Sequence, residues 1–116
     1  MSTKTPECWA SDAQARGLRI EATPARSLLL PHNHFIFAEL DSGGDEQNLK
    51  LVFTTHEVSV RGHHLRRIET VLQRLELSLL AKLPNSQRKL ITEGQPVILE
   101  IMVTEGQAAE KRTKEN

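Results

Sequence analysis

The sequence predicts an α+β fold, in which a mostly antiparallel sheet, made of a three-stranded meander and a closing strand, is packed by one long amphipathic helix. Two observations lead to this fold class. Apolar and polar residues alternate in several short segments, as is typical of half-buried strands. Over one longer segment, apolar residues instead recur at spacings of three and four, as on one face of a helix. The 116 residues suffice for one domain.

The first strands are predicted near the beginning of this domain. Leu18, Ile20 and Ala22 alternate with charged residues, which predicts a short half-buried strand that ends before Pro24. A second, shorter apolar run covers residues 27–30.

The predicted meander follows in the middle of the chain. Its three strands are expected at residues 34–40, 49–54 and 58–61. Residues 41–47 combine two glycines with Asp and Ser, a composition typical of a loop. Because both connections are short, the three strands should be antiparallel neighbours. We expect Phe35 and Phe37, which alternate on the first of them, to pack in the core.

After Gly62 the hydrophobic period changes from two to three and four. This pattern predicts a helix from about residue 63 to residue 82, which Pro84 and Asn85 end. The apolar face of that helix consists of Leu65, Ile68, Leu72, Leu75 and Leu79.

The closing strand is predicted at residues 97–103, where apolar residues alternate after a turn at residues 93–96. Because the helix would connect it to the preceding strand, we expect these two strands to be parallel through a crossover. An exposed edge on the closing strand would be free to take a partner.

Composition limits the class of protein. Lys plus Arg and Asp plus Glu both number 15, so the formal net charge is zero, which argues against a generally basic nucleic-acid binder and makes nucleic acid an unexpected partner. One Trp, three Phe and no Tyr predict an aliphatic core. The lone Cys8 excludes an internal disulfide, and no apolar segment is long enough to span a membrane, so we expect a cytoplasmic protein.

The ends of the chain are expected to lie outside the folded unit. Residues 1–16 mix small polar residues without periodicity, which predicts a flexible arm with Cys8 in it. Residues 105–116 are almost wholly polar and predict a disordered charged tail. The single α+β domain is therefore assigned to residues 17–104.

Five histidines between positions 32 and 64 suggest a metal site. His32 and His34 stand at positions i and i+2, which would place both imidazoles on the same side of a strand, and neutral imidazole binds divalent transition metals. Further ligands could come from Glu39, His56 or His64. The alternative interpretation is that these are polar histidines at the beginning of a strand and of a helix.

The spacing of His32, His34 and Glu39 resembles the first metal motif of the cupins, HxH-x4-E, over eight residues. The resemblance implies a divalent metal held by these three side chains. The second cupin motif, which supplies the last histidine, is absent from the sequence, and a long helix in mid-chain differs from a cupin barrel.

A second candidate site is the positive cluster at the junction of strand and helix. Its members are Arg61, His63, Arg66 and Arg67. Together with the free N–H groups of a helix N-terminus, they could hold a phosphate or another anion. The alternative is a solvated helix face with an ion pair between Arg66 and Glu69.

We assign no catalytic residue. Gly43 to Glu46 resembles the signature loop of the diguanylate cyclases, but Gln47 stands in place of the signature phenylalanine, and a hairpin loop explains the same residues. His56 and Ser59 fall on opposite faces of one strand and cannot act together.

The sequence thus predicts a non-enzymatic protein-interaction domain, without a cofactor, that forms a homodimer or binds another protein. The first alternative is a metal-binding protein or metal-dependent enzyme that uses the histidines. The second is an anion or nucleic-acid binder that uses the cluster at 61–67.

Overall fold

The computed structural model describes residues 8–83 and 94–106. These residues form two four-stranded sheets, one short α-helix and a 3-10 turn. In chain order the elements are β1 (Trp9–Ser11), β2 (Gly17–Thr23), β3 (Arg26–Pro31), the 3-10 turn (His32–His34), β4 (Phe35–Asp41), β5 (Gln47–Phe53), β6 (His56–His63), α1 (Arg66–Gln73), β7 (Leu77–Ala81) and β8 (Val97–Glu105). The prediction of a mixed fold rich in strands is confirmed.

Sheet A has the strand order β1-β7-β2-β3, and sheet B has the order β4-β5-β6-β8. All neighbouring strands are antiparallel except β2 and β7, which are parallel. The prediction of one sheet is wrong. The expected parallel arrangement of the closing strand is also wrong, because β8 pairs antiparallel with β6 over its full length.

One aliphatic core joins the inner faces of both sheets and α1, as the aromatic-poor composition predicts. Alternation in β2 and β5 places every second side chain in this core, because successive strand residues point to opposite faces. The largest fully buried side chains are Phe53, Leu18, Ile20, Leu49, Leu51, Leu65, Ile68, Leu72, Leu77, Leu80, Leu83 and Ile98.

The helix α1 is much shorter than predicted. Its buried residues Ile68 and Leu72 pack into the core, but the helix ends at Gln73, and Leu75 adopts a left-handed conformation with φ of 58°. The chain then enters β7, where Leu77 and Leu80 are buried by pairing with β1 and β2. The long helix over 63–82 is therefore wrong, since pairing between strands overrides a spacing that also fits a helix.

The beginning of the described chain is folded rather than an arm. Cys8 is 1% exposed, and its thiol donates a hydrogen bond to the carbonyl oxygen of Pro96 at 3.4 Å. Burial raises the pKa of the Cys8 thiol. Next to it, β1 pairs with β7. Residues 1–7 of the predicted arm and 107–116 of the predicted tail lie outside the described residues.

Among residues 8–83 and 94–106, no helix has the length and apolar character needed to cross a membrane. The cytoplasmic location stays a prediction.

Candidate interaction surface

The outer face of sheet B is a surface on which the strand register places charged and apolar side chains in rows. Leu49, Leu51 and Phe53 of β5 point into the core, so Lys50 and Val52 point outward. The register then brings Glu39 of β4 and Ser59 of β6 beside Lys50. The same register places Phe37 and Glu57 beside Val52 and places Met102 of β8 beside Ser59.

A β-bulge changes the direction of the phenylalanines in β4. The register with β5 shifts between Phe35 and Phe37, so one extra residue is accommodated there. As a result Phe35 turns inward, where its ring meets Phe53 edge to face with centroids 5.4 Å apart, while Phe37 lies beside Val52 on the outer face. The prediction that Phe37 packs in the core is wrong.

The bulge leaves two adjacent large apolar side chains exposed on an edge strand. Ile36 is 54% exposed and Phe37 is 48% exposed. Because β4 is the first strand of sheet B, only β5 pairs with it among the described strands. We call Ile36, Phe37 and the neighbouring Val52 the β4 surface.

Ion pairs border the β4 surface. The ammonium of Lys50 lies 3.7 Å from a carboxylate oxygen of Glu39 and 4.0 Å from one of Glu57. All three side chains are partly or largely exposed, so these pairs contribute little stability. They place charged groups beside the apolar residues, as at the rim of a protein–protein interface.

Of the residues predicted for an anion site, Arg61 is already occupied by carboxylates on this face. It donates a hydrogen bond to Glu46 at 2.7 Å and another to Glu100 at 2.9 Å. These hydrogen bonds, first to Glu46 and then to Glu100, raise the pKa of the Arg61 guanidinium above its ordinary value. Two further members lie on α1: Arg66 is 3.9 Å from Glu69, as the alternative interpretation expects, and Arg67 donates a hydrogen bond to Gln95 at 3.3 Å. His63 ends β6. The anion site stays a prediction.

The predicted metal ligands lie on separate elements. His32 and His34 belong to a 3-10 turn, so the expectation that they share one side of a strand is wrong. Glu39 is on the outer face of β4 beside Lys50, and His56 begins β6, where its Nδ1 is 2.7 Å from the hydroxyl of Thr55. His64 is exposed, with φ of 58°.

Within residues 8–83 and 94–106, no three His, Cys, Asp or Glu side chains form a group that could hold a metal ion. The metal site, like the cofactor it requires, stays a prediction.

His32 has a structural role that the sequence did not indicate. It is the buried polar residue of the described core, and its Nε2 lies 2.7 Å from the carbonyl oxygen of Leu77. Because a carbonyl oxygen accepts and does not donate, Nε2 carries the hydrogen and is not available to a metal. This bond ties the 3-10 turn to β7.

We expect His32→Ala to lower the free energy of unfolding by about 1–3 kcal/mol, because the substitution leaves a buried carbonyl without this donor. His34→Ala is the matched control, since His34 is exposed in the same turn; it should change stability by less than about 0.5 kcal/mol. Urea denaturation checks both values. Equal losses in the two variants would contradict this role.

Comparison of the chain with protein-family models, with curated proteins and with solved structures finds no match.

Proposed function

We propose that this chain is a non-enzymatic protein-interaction domain that associates with a second copy of itself through the edge of β4. The observation that carries the proposal is the exposure of two adjacent large apolar side chains, Ile36 and Phe37, on an edge strand. An edge strand presents unpaired N–H and C=O groups, and exposed apolar side chains next to them supply contact area for a partner strand.

A second copy suits this edge because an antiparallel strand pair has two-fold symmetry. Two identical edges can therefore satisfy each other's donors and acceptors in an isologous interface. A register centred on Phe37 places the two Phe37 rings opposite each other and brings Ile36 next to the partner's Ala38. The two copies of sheet B would form one eight-stranded sheet.

The edges formed by β8 and β3 offer less apolar contact. On β8, the neighbours of Met102 on the outer face of the same strand are the polar residues Glu100 and Thr104. On β3, Leu29 is exposed and stands beside Arg19. Each of these two edges presents one large exposed apolar side chain, whereas β4 presents two in succession.

The proposal is tested by sedimentation velocity over a range of protein concentrations, with Phe37→Lys and Met102→Lys as a matched pair. Both residues are exposed and apolar on the outer face of sheet B, but they lie on opposite edge strands. The natural chain should dimerise with increasing concentration. Phe37→Lys should weaken the dimer at least about tenfold, because it brings two cations together at the centre of the interface.

Met102→Lys should leave the dimer unchanged. A natural chain that is monomeric throughout would contradict self-association. A dimer that is lost in Met102→Lys and kept in Phe37→Lys would assign the interface to β8 instead.

A further inference from the structure

A cleft lies between the two sheets, away from the β4 surface. It opens between the β2–β3 hairpin of sheet A and the part of sheet B where β6 begins and β8 ends, and its volume is about 370 Å³. The helix α1 contacts β4 and β7, so it closes a different side of the molecule. This volume lies at the lower end of the range for small-molecule sites.

The cleft has an apolar part and a polar part. Side chains from both sheets supply the apolar part, namely Ile20, Ala22, Leu28 and Val103. The polar residues of the lining are Thr23, Arg26, Ser27, His56 and Glu105, although the hydroxyl of Ser27 accepts a hydrogen bond from Arg19, outside the cleft, at 3.3 Å. A ligand that fits must therefore combine an apolar body with a polar end.

The two charged residues of the cleft are not paired with each other. Among the described residues, neither Arg26 nor Glu105 has an oppositely charged side chain within 4.0 Å, whereas Lys50, Arg61 and Arg66 on other parts of the surface all have carboxylate partners. One cationic and one anionic side chain thus line the same small cleft, and each could form an ion pair with an oppositely charged group of a ligand.

Pairing between β6 and β8 fixes the position of Glu105 in the cleft. Glu105 is the cross-strand partner of His56, and the hydroxyl of Thr55 lies 2.7 Å from Nδ1 of that imidazole. The backbone N–H of Gly106 donates to the carbonyl oxygen of Thr55 at 2.9 Å, so the end of β8 is fastened to the beginning of β6. Within the described residues, Nε2 of His56 has no hydrogen-bond partner.

We propose that this cleft binds a small zwitterion with an apolar side chain, of the class of the aliphatic α-amino acids. The guanidinium of Arg26 receives the carboxylate, the carboxylate of Glu105 receives the ammonium, and the apolar side chain packs against Ile20, Leu28 and Val103. Charge-assisted hydrogen bonds of this kind are stronger than those between neutral groups, and two of opposite sign fix the orientation of the ligand.

The proposal is tested by NMR titration of the full chain with L-leucine. Saturable shifts at millimolar concentrations are expected for the backbone amides of β2, β3 and the end of β8. N-acetyl-leucine lacks the ammonium, leucine methyl ester lacks the carboxylate and glycine lacks the apolar body, so each should bind at least about tenfold more weakly.

Glu105→Gln and Arg26→Gln identify the two charged contacts. Glu105→Gln should weaken the binding of leucine about tenfold, and this variant should no longer bind leucine more tightly than N-acetyl-leucine. Arg26→Gln should no longer bind leucine more tightly than leucine methyl ester. Glu21→Gln is the control, because Glu21 lies on β2 but does not line the cleft. Thermal melts of the variants verify that they are folded.

Three results would overturn the proposal. The first is the absence of saturable shifts with leucine. The second is equal binding of leucine and its derivatives by the natural chain. The third is a loss in Glu21→Gln as large as that in Glu105→Gln, which would indicate a general charge effect. None of these results depends on whether the chain dimerises through β4.

Discussion

Gly62→Ala is expected to destabilise this protein severely, by at least about 3 kcal/mol, or to prevent folding. A Cβ atom at position 62 would overlap the carbonyl oxygen of Val97 and would lie 3.0 Å from its carbonyl carbon. These are backbone atoms of β8 at the point where its register with β6 shifts, so no side-chain rotation relieves the overlap. The two strands would have to separate where Gly62 pairs with Ile98.

Gly43→Ala is the matched control for this prediction. A Cβ atom at Gly43 would meet only a carboxylate oxygen of Asp41, at an ordinary contact distance of 3.5 Å. Its free energy of unfolding should change by less than about 0.5 kcal/mol. Chemical denaturation monitored by circular dichroism measures both variants, and a similar stability of the two would contradict the close approach of β6 and β8.

Phe53→Ala is expected to lower the free energy of unfolding by about 3–5 kcal/mol. Phe53 is fully buried on the inner face of β5, and its ring packs edge to face against Phe35 with an interplanar angle of 63°. Removal of the ring leaves a cavity and also removes the aromatic contact.

The control for this prediction is Phe37→Ala, which removes the same ring from the outer face of the neighbouring strand. At low protein concentration, where dimerisation does not contribute, its effect should be below about 0.5 kcal/mol. Equally large losses for the two phenylalanines, measured by urea denaturation, would contradict the opposite directions that the bulge gives to Phe35 and Phe37.

The strands could be predicted from the sequence where one face of a strand is buried. Leu18 and Ile20 of β2 alternate with charged residues, and Leu49 and Leu51 of β5 are separated by Lys50; both strands are observed. A period of two requires no knowledge of the partner strand, because it reflects the pleat of a single strand.

The extent of the helix could not be predicted in this way. Leu72, Leu75 and Leu79 continue the helical spacing, but Leu77 and Leu80 are the residues that β7 buries. The partners that decide between the two patterns are β1 and β2, and β2 lies more than fifty positions earlier in the chain. A local pattern contains no information on such pairing.

The β4 surface likewise depends on pairing between strands, here on the β-bulge between Phe35 and Phe37. Phe35 and Phe37 have the spacing of two side chains on one face, and only the bulge sends them to opposite faces. The cleft could not be predicted from the sequence either, because Arg26 and Glu105 belong to different sheets. The spacing of His32 and His34 suggests metal ligands on a strand, yet the observed contact of His32 is to the backbone of β7.

The most direct test of the proposed β4 association is hydrogen–deuterium exchange of the natural chain at low and at high protein concentration. We expect the amides of Phe35–Asp41 to exchange more slowly at high concentration, because pairing with a second copy protects them, while those of Arg26–Pro31 and Val97–Glu105 should not change. Unchanged exchange in β4, together with slower exchange in β3 or β8, would contradict it.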